Sequence, residues 1–197
     1  PEDPAAGLKD IVQAAETDGL QVRNSVAIVN AGAIRLSACP NTVIENNVIL
    51  RSNIQNIIGA NHEGEMIRLR NNILGDNQLS KAHVQTFEMG RTTTMDEGNN
   101  CYFFRIADEK RKPYLFGDLG EERRISAAEF NRRFGKEPSL ITNPGFAGMS
   151  RVTDRMGLEY DGDAILTVKE LDFADFFPTA PEVVEKKIGL QPEAFKR

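Results

Sequence analysis

Three times between residues 19 and 74 the chain passes through a short stretch of Val, Ile and Leu, meets an asparagine, and enters another apolar run: LQVRNSVAIV, NTVIENNVIL and EMIRLRNNIL. With Asn24, Asn46 and Asn71 superposed, successive copies are offset by 22 and 25 residues. Periods of about 20 to 50 residues mark chains built from stacked units, each too small to bury its own apolar side. Stability must then come from neighbouring copies pairing with one another.

Each circuit divides into three short strands. GAIRLS (32–37), NIQNIIG (53–59) and AHVQTF (82–87) form a first face; LQVRN, TVIEN and MIRLRN a second; VAIVN, VILRS and ILGDN a third. Val and Ile between Gly, Asn and Pro breaks are strand and turn signals. Stacked copy on copy, the alternate aliphatic side chains fill one continuous interior. The expected fold is therefore all-β: a right-handed parallel β-helix of about three to four coils, closed by a C-terminal cap containing one short α-helix. The asparagines suit the bend between the second and third faces, because Asn tolerates the left-handed backbone region better than other side-chain-bearing residues. Asn47 and Asn72, each second in an Asn-Asn pair, read as structural, with hydrogen bonds running along the axis.

Composition removes several function classes. Hydrophobic residues at 40% and charged residues at 27% are ordinary for a globular protein. A net charge of -5 argues against a nucleic-acid surface. The clusters EKRK and EERR read as solvated faces. No apolar run approaches the roughly 20 residues needed to span a bilayer. Cys39 and Cys101 are too few for a metal site; they read as buried free thiols, with a disulfide as the alternative.

The chain divides into a lead-in or cap (1–18) with a weakly helical stretch over 8–15, the coils (19–104), and a capping segment (105–197). It opens at Pro1 without Met, and its front end is short for a repeat stack. The expectation is that it forms the C-terminal portion of a longer β-helix, or is completed at the open end by another chain. In ISAAEFNRRFGKEP, Ser126 and Glu129 make a capping box, Gly135 a stop, and Phe130 and Phe134 one apolar face. The tail reads as a strap that closes the interior.

The IENNVIL and LRNNIL steps, and a tail in which NNCYFF precedes ISAAEFNRRFG and SLITNPGF, resemble the parallel β-helix proteins of the pectate-lyase-like superfamily. In such proteins an Asn-Tyr-aromatic strand is followed by a helix begun by Ser and a Ser-x-x-x-Asp-Pro-x-Phe segment. Here that segment ends Thr142-Asn143-Pro144-Gly145-Phe146, with Asn where Asp is commoner. The resemblance implies a secreted or cell-surface protein that acts on polysaccharide, either a lyase or a glycoside hydrolase. It equally covers adhesins, structural proteins and carbohydrate-binding modules, because many activities share the coil. No catalytic motif of the family carries over residue by residue.

Enzymes of that kind work along the first face and the turns after it, where bases, acids and ligands for anionic sugars gather. Stacking the turns SACPN, GANHEGE and EMGRTTTMDEG would bring His62, Glu63 and Arg91 together as candidate catalytic residues, with Asn61, Arg35, Gln55 and Gln85 as candidate substrate-binding residues. His62 lies in a polar, Gly-bounded turn and could act as a base or orient a sugar hydroxyl. The same residue types also serve a turn that must bend and stay wet. His83 begins a strand and reads as functionally silent. Asp96 and Glu97 offer a calcium reading beside a solvated-turn reading. Asp161 and Asp163 show a calcium-loop spacing without the remaining ligands. No metal site is assigned.

Overall fold

The computed structural model describes residues 12–59, 66–75, 85–89, 94–103, 114–118, 121–126, 132, 135–148 and 172–195. One sheet holds β2 (Gln21–Arg23), β4 (Thr42–Glu45), β6 (Met66–Arg70), β9 (Thr94–Gly98) and β13 (Gly135–Glu137), in the order β13-β9-β6-β4-β2. The other holds β1 (Val12–Ala15), β3 (Val26–Ser37), β5 (Val48–Gly59), β7 (Ile73–Gly75), β8 (Gln85–Met89), β10 (Cys101–Phe103), β11 (Tyr114–Asp118), β12 (Glu121–Ser126) and β14 (Leu140–Ile141). Among these strands only the β11–β12 pair is antiparallel. The chain alternates between the sheets, β2 to β3, β4 to β5, β6 to β7, β9 to β10 and β13 to β14. Mostly parallel strands in stacked parallel sheets are compatible with a parallel β-helix. β3 and β5 each carry the third and first faces in one strand, and a register shift between Asn30 and Gly32 marks the bend.

The pairing reaches back further than the asparagine alignment. Val12–Ala15 is a strand in register with Ile34–Ser37, which corrects the helical reading for those residues. An alanine's helix preference is worth under about 1 kcal/mol, less than a paired backbone edge offers. The turn that follows copies the one below it: Glu16 and Gly19 have positive φ, as do Ala38 and Asn41. Glu16 N–H donates to the Ser37 carbonyl at 2.9 Å, and Gly19 N–H to the Pro40 carbonyl at 2.9 Å. Beyond residue 104, β11 to β14 add to the same two sheets.

The corner between the second and third faces is made of asparagine. Asn24, Asn46, Asn71 and Asn99 all sit at φ between 48° and 58°, the left-handed region that costs most L-residues about 1–2 kcal/mol. The residue after each of the last three points inward. Asn47, Asn72 and Asn100 are fully buried, and their side chains form a ladder along the stack. Asn47 Nδ2 donates to Asn72 Oδ1, and Asn72 Nδ2 to Asn100 Oδ1, both at 3.0 Å. Each Oδ1 also accepts the backbone N–H of the preceding corner, from Ser25, Asn47 and Asn72. A tight turn inside an apolar core would otherwise strand these N–H groups without partners.

Ile44, Ile67 and Leu69 from the second face, Ile34 and Leu36 from the first, and Ile49 and Leu74 from the third share one buried cluster. The third face is apolar on its other side as well, where Val48, Leu50, Ile73, Cys101 and Phe103 meet the tail residues Phe146, Phe176, Val183, Ile188 and Leu190. Burial on both sides explains why its strands read as unbroken apolar runs. The described tail therefore lies along the flank of the stack. Its helix α1 (Pro181–Glu185) starts with Pro in the first turn. Gly189, at φ 86°, passes so close to the sheet that a Cβ there would sit 2.6 Å from Ile73 Cδ1. Gly189 N–H donates to the Asn71 carbonyl, while Asn46 Nδ2 and Asn99 Nδ2 donate to the Gly189 and Lys186 carbonyls.

Cys39 and Cys101 are free thiols, both buried. Burial pushes the Cys101 thiol up to about 12. Ser126 ends β12 and Arg132 is helical; the rest of the segment 127–134 lies outside the described residues. A capping box not foreseen in the sequence forms at Asp172 and Asp175, around a 3-10 turn over Phe173–Phe176.

Candidate functional site

The strands that bracket the proposed catalytic turns are in register. Gly59 pairs with Met89 where the first face ends, and Met66 pairs with Thr94 where the second face resumes. Asn61, His62, Glu63 and Arg91 fall between these positions in the chain, outside the described residues, as do His83, Asp161 and Asp163. Gln55 pairs with Gln85, so these two share a register row, in which Gly32 and Tyr114 also stand. Arg35 belongs to a different row: it pairs with Gln13 and Ile58, and Ile58 in turn with Glu88. Arg35 itself lies between the buried Ile34 and Leu36, half-buried on the outer side of β3.

The outer side of the β2-to-β13 sheet carries a polar stripe that no motif in the sequence spells out. Arg23, Glu45, Arg70, Gly98 and Glu137 stack in register, one per strand. The next outward row holds Gln21, Val43, Arg68 and Asp96. Glu45 lies 3.4 Å from Arg23 and 3.0 Å from Arg68. Arg70 bridges Asp96 at 2.8 Å and Glu137 at 3.1 Å. The hydrogen bond that Arg70 donates to Asp96, then the charges of Asp96 and Glu137, hold the Arg70 guanidinium above its ordinary range against a partial burial that works the other way. The signal was present in the repeat: Arg23, Glu45 and Arg70 each stand immediately before an aligned asparagine.

Inside the same sheet the aliphatic column changes character. Val22, Ile44, Leu69 and Glu97 occupy one row, so a carboxylate stands at 0% exposure where the preceding strands place hydrocarbon. Glu97 Oε1 accepts from Asn100 Nδ2 at 2.9 Å, from the Tyr102 hydroxyl at 2.8 Å and from the Ser139 hydroxyl. Oε2 has no partner. Burial, and after it the Glu97 charge, raise the Tyr102 phenol well above its usual value. This group terminates the asparagine ladder, with Ser139 Oγ accepting the Asn100 N–H where another asparagine would otherwise stand.

Asp96 and Glu97 therefore face opposite sides of β9. One is tied to Arg70 outside and the other is sealed inside, so the two do not converge on one ion. Among the described residues no group of three or more His, Cys, Asp or Glu side chains is placed to hold a metal. No helix among them is long and apolar enough to cross a membrane. No protein-family model, curated protein or solved structure matches the chain.

Proposed function

We propose that this chain is a right-handed parallel β-helix protein of the pectate-lyase-like type, secreted or held at a cell surface, that acts on an extracellular polysaccharide as a lyase or glycoside hydrolase. The observation that carries the reading is the straight polar stripe from Arg23 to Glu137. Its rows advance by one strand, about 4.8 Å, a step comparable to one sugar ring, so a linear polymer lying along the stack would meet polar side chains at regular intervals. In this reading His62 and Glu63 supply the base and acid, and Arg91 neutralises a substrate anion. Arg35, Asn61, Gln55 and Gln85 hold the glycan.

The test is a screen of the full chain against anionic and neutral polysaccharides, scoring new unsaturated uronic ends for a lyase and new reducing ends for a hydrolase. In the polysaccharide that responds, His62→Ala is expected to lower the rate by about 10²–10⁴-fold. A rate unchanged by His62→Ala would sink the catalytic assignment. A second reading, a non-catalytic adhesin or carbohydrate-binding module, is favoured by one observation: Arg23, Arg68 and Arg70 are each already paired with a carboxylate of this chain. Silence in both assays with retained glycan binding would select it.

A further inference from the structure

Burial in the sheet that carries the stripe falls away at one end. Ile44, Ile67 and Leu69 are at most 1% exposed, whereas Leu20 and Val22, at the β2 end, are only partly buried against the same cluster. Among the described residues, β2 has a strand neighbour on one side only. The Leu20 carbonyl accepts from Val43 N–H at 2.8 Å, and Asn24 N–H donates to the Glu45 carbonyl at 3.3 Å. Alternation then turns the backbone groups of Gln21 and Arg23 away from β4. Such an edge pairs readily with a further strand.

Two details specify the strand that fits. The charged row alternates in sign, Arg23, Glu45, Arg70, and Glu45 is held by arginines on both neighbouring strands. Among the described residues Arg23, 47% exposed, has a carboxylate on one side alone. The corner supplies the second detail. Asn47 N–H donates to Asn72 Oδ1, and Asn100 N–H donates to a serine hydroxyl, that of Ser139. Ser25 holds the equivalent place after Asn24, and its hydroxyl donates to the Arg23 carbonyl, which leaves its oxygen able to accept.

We propose that the open edge of β2 is a docking site for one more parallel β-strand, supplied by another polypeptide chain. That strand sets an apolar residue beside Val22, a carboxylate beside Arg23, and a turn N–H on the Ser25 hydroxyl. The surface is an acceptor for a partner that continues the stack, and it stands independently of any sugar chemistry.

The test uses the full chain and a fluorescent peptide of sequence TVIENNVIL, whose Glu45 stands beside Arg70 in register in this fold, as the partner's carboxylate would stand beside Arg23. Hydrogen exchange is measured first. Fast exchange at Gln21 and Arg23, slowing when peptide is added, is expected; protection of both amides before addition would mean that the chain's own residues cover the edge, and would overturn the proposal. Fluorescence anisotropy then gives the affinity. Arg23→Glu should weaken binding about fivefold, and a peptide with Arg in place of its Glu should recover that loss on the variant. Arg23 is exposed enough for the variant to keep the wild-type circular dichroism spectrum, which is checked alongside. No binding, or binding indifferent to the charge exchange, would also overturn it.

Discussion

Glu45, Asn46 and Asn47 are consecutive, yet they belong to three rows that run side by side along the stack under different physics. The outermost, Arg23, Glu45 and Arg70, is partly open to solvent, and its ion pairs give back in screening and side-chain entropy much of what Coulomb attraction provides. The middle row, Asn24, Asn46, Asn71 and Asn99, is a set of backbone conformations in which the residue is chosen for its φ. The innermost, Asn47, Asn72 and Asn100, is dry, and each amide serves several groups that have no water to fall back on. Polar residues one position apart thus differ severalfold in what their loss costs. A hydrogen bond is worth little in net terms, but a buried group left without its partner costs its full desolvation.

That contrast can be broken by substitution. Asn72→Ala is expected to have the largest effect, about 3 kcal/mol or more, because the Asn47 N–H, the Ile44 and Arg70 carbonyls and Asn100 Oδ1 all lose a partner. Denaturant unfolding measures it, and a loss below about 1 kcal/mol would show that the ladder is ornamental. Glu97→Leu restores the hydrocarbon of the Leu69 row but removes the acceptor shared by the Asn100 amide and the Tyr102 and Ser139 hydroxyls, at an expected cost of about 2–3 kcal/mol. In the middle row, Asn71→Ala should cost about 1–2 kcal/mol, whereas Asn71→Gly should recover most of it, since glycine accepts positive φ without strain. Equal losses for Ala and Gly would shift the weight from backbone to the Asn71–Asn99 side-chain bond. In the outer row, Arg68→Ala should move stability by under about 0.5 kcal/mol, in a salt-dependent way.

Alkaline unfolding probes the buried side of the same strands. Cys101 keeps its proton in the fold up to about 12, against 9.0 ordinarily. The unfolded chain releases that proton first, so the contribution is whole below about pH 9 and is lost as pH rises toward 12, by at most about 1.4 kcal/mol per pH unit. Tyr102, raised in the same direction, adds to the decline above pH 10. Cys101→Ala should flatten the stability curve between pH 9 and 10; an unchanged slope there would mean that the tail does not seal this thiol.

Much of the fold was legible because stacking is a local rule repeated. The Asn-Asn step announced both the left-handed corner and the inward ladder. The fourth corner at Asn99 and Asn100 follows the same spelling at a longer interval, which the 22 and 25 residue offsets alone did not mark. The fifth, where Ser139 stands in for asparagine, has no such spelling. β1 was hidden by an alanine-rich sequence whose strand state depends on Ile34–Ser37 beneath it. α1 had its signal in Pro181 and Gly189, which the reading of the tail as an irregular strap passed over. The proposed turn at Asn61, His62 and Glu63 rests on sequence, and the register of Gly59 with Met89 bounds it on one side.

What the sequence determined by itself is the repeat: its period, its alternation of apolar residues and the asparagine at each corner, all set by nearest-neighbour backbone geometry. What only the tertiary structure decided is which residues lose water. Glu97 and Asp96 are adjacent acidic residues in a single strand, and nothing in their spelling separates them. Pleating sends one outward to Arg70 and the other inward to Tyr102, Asn100 and Ser139, and a carboxylate's chemistry follows the dielectric it is placed in.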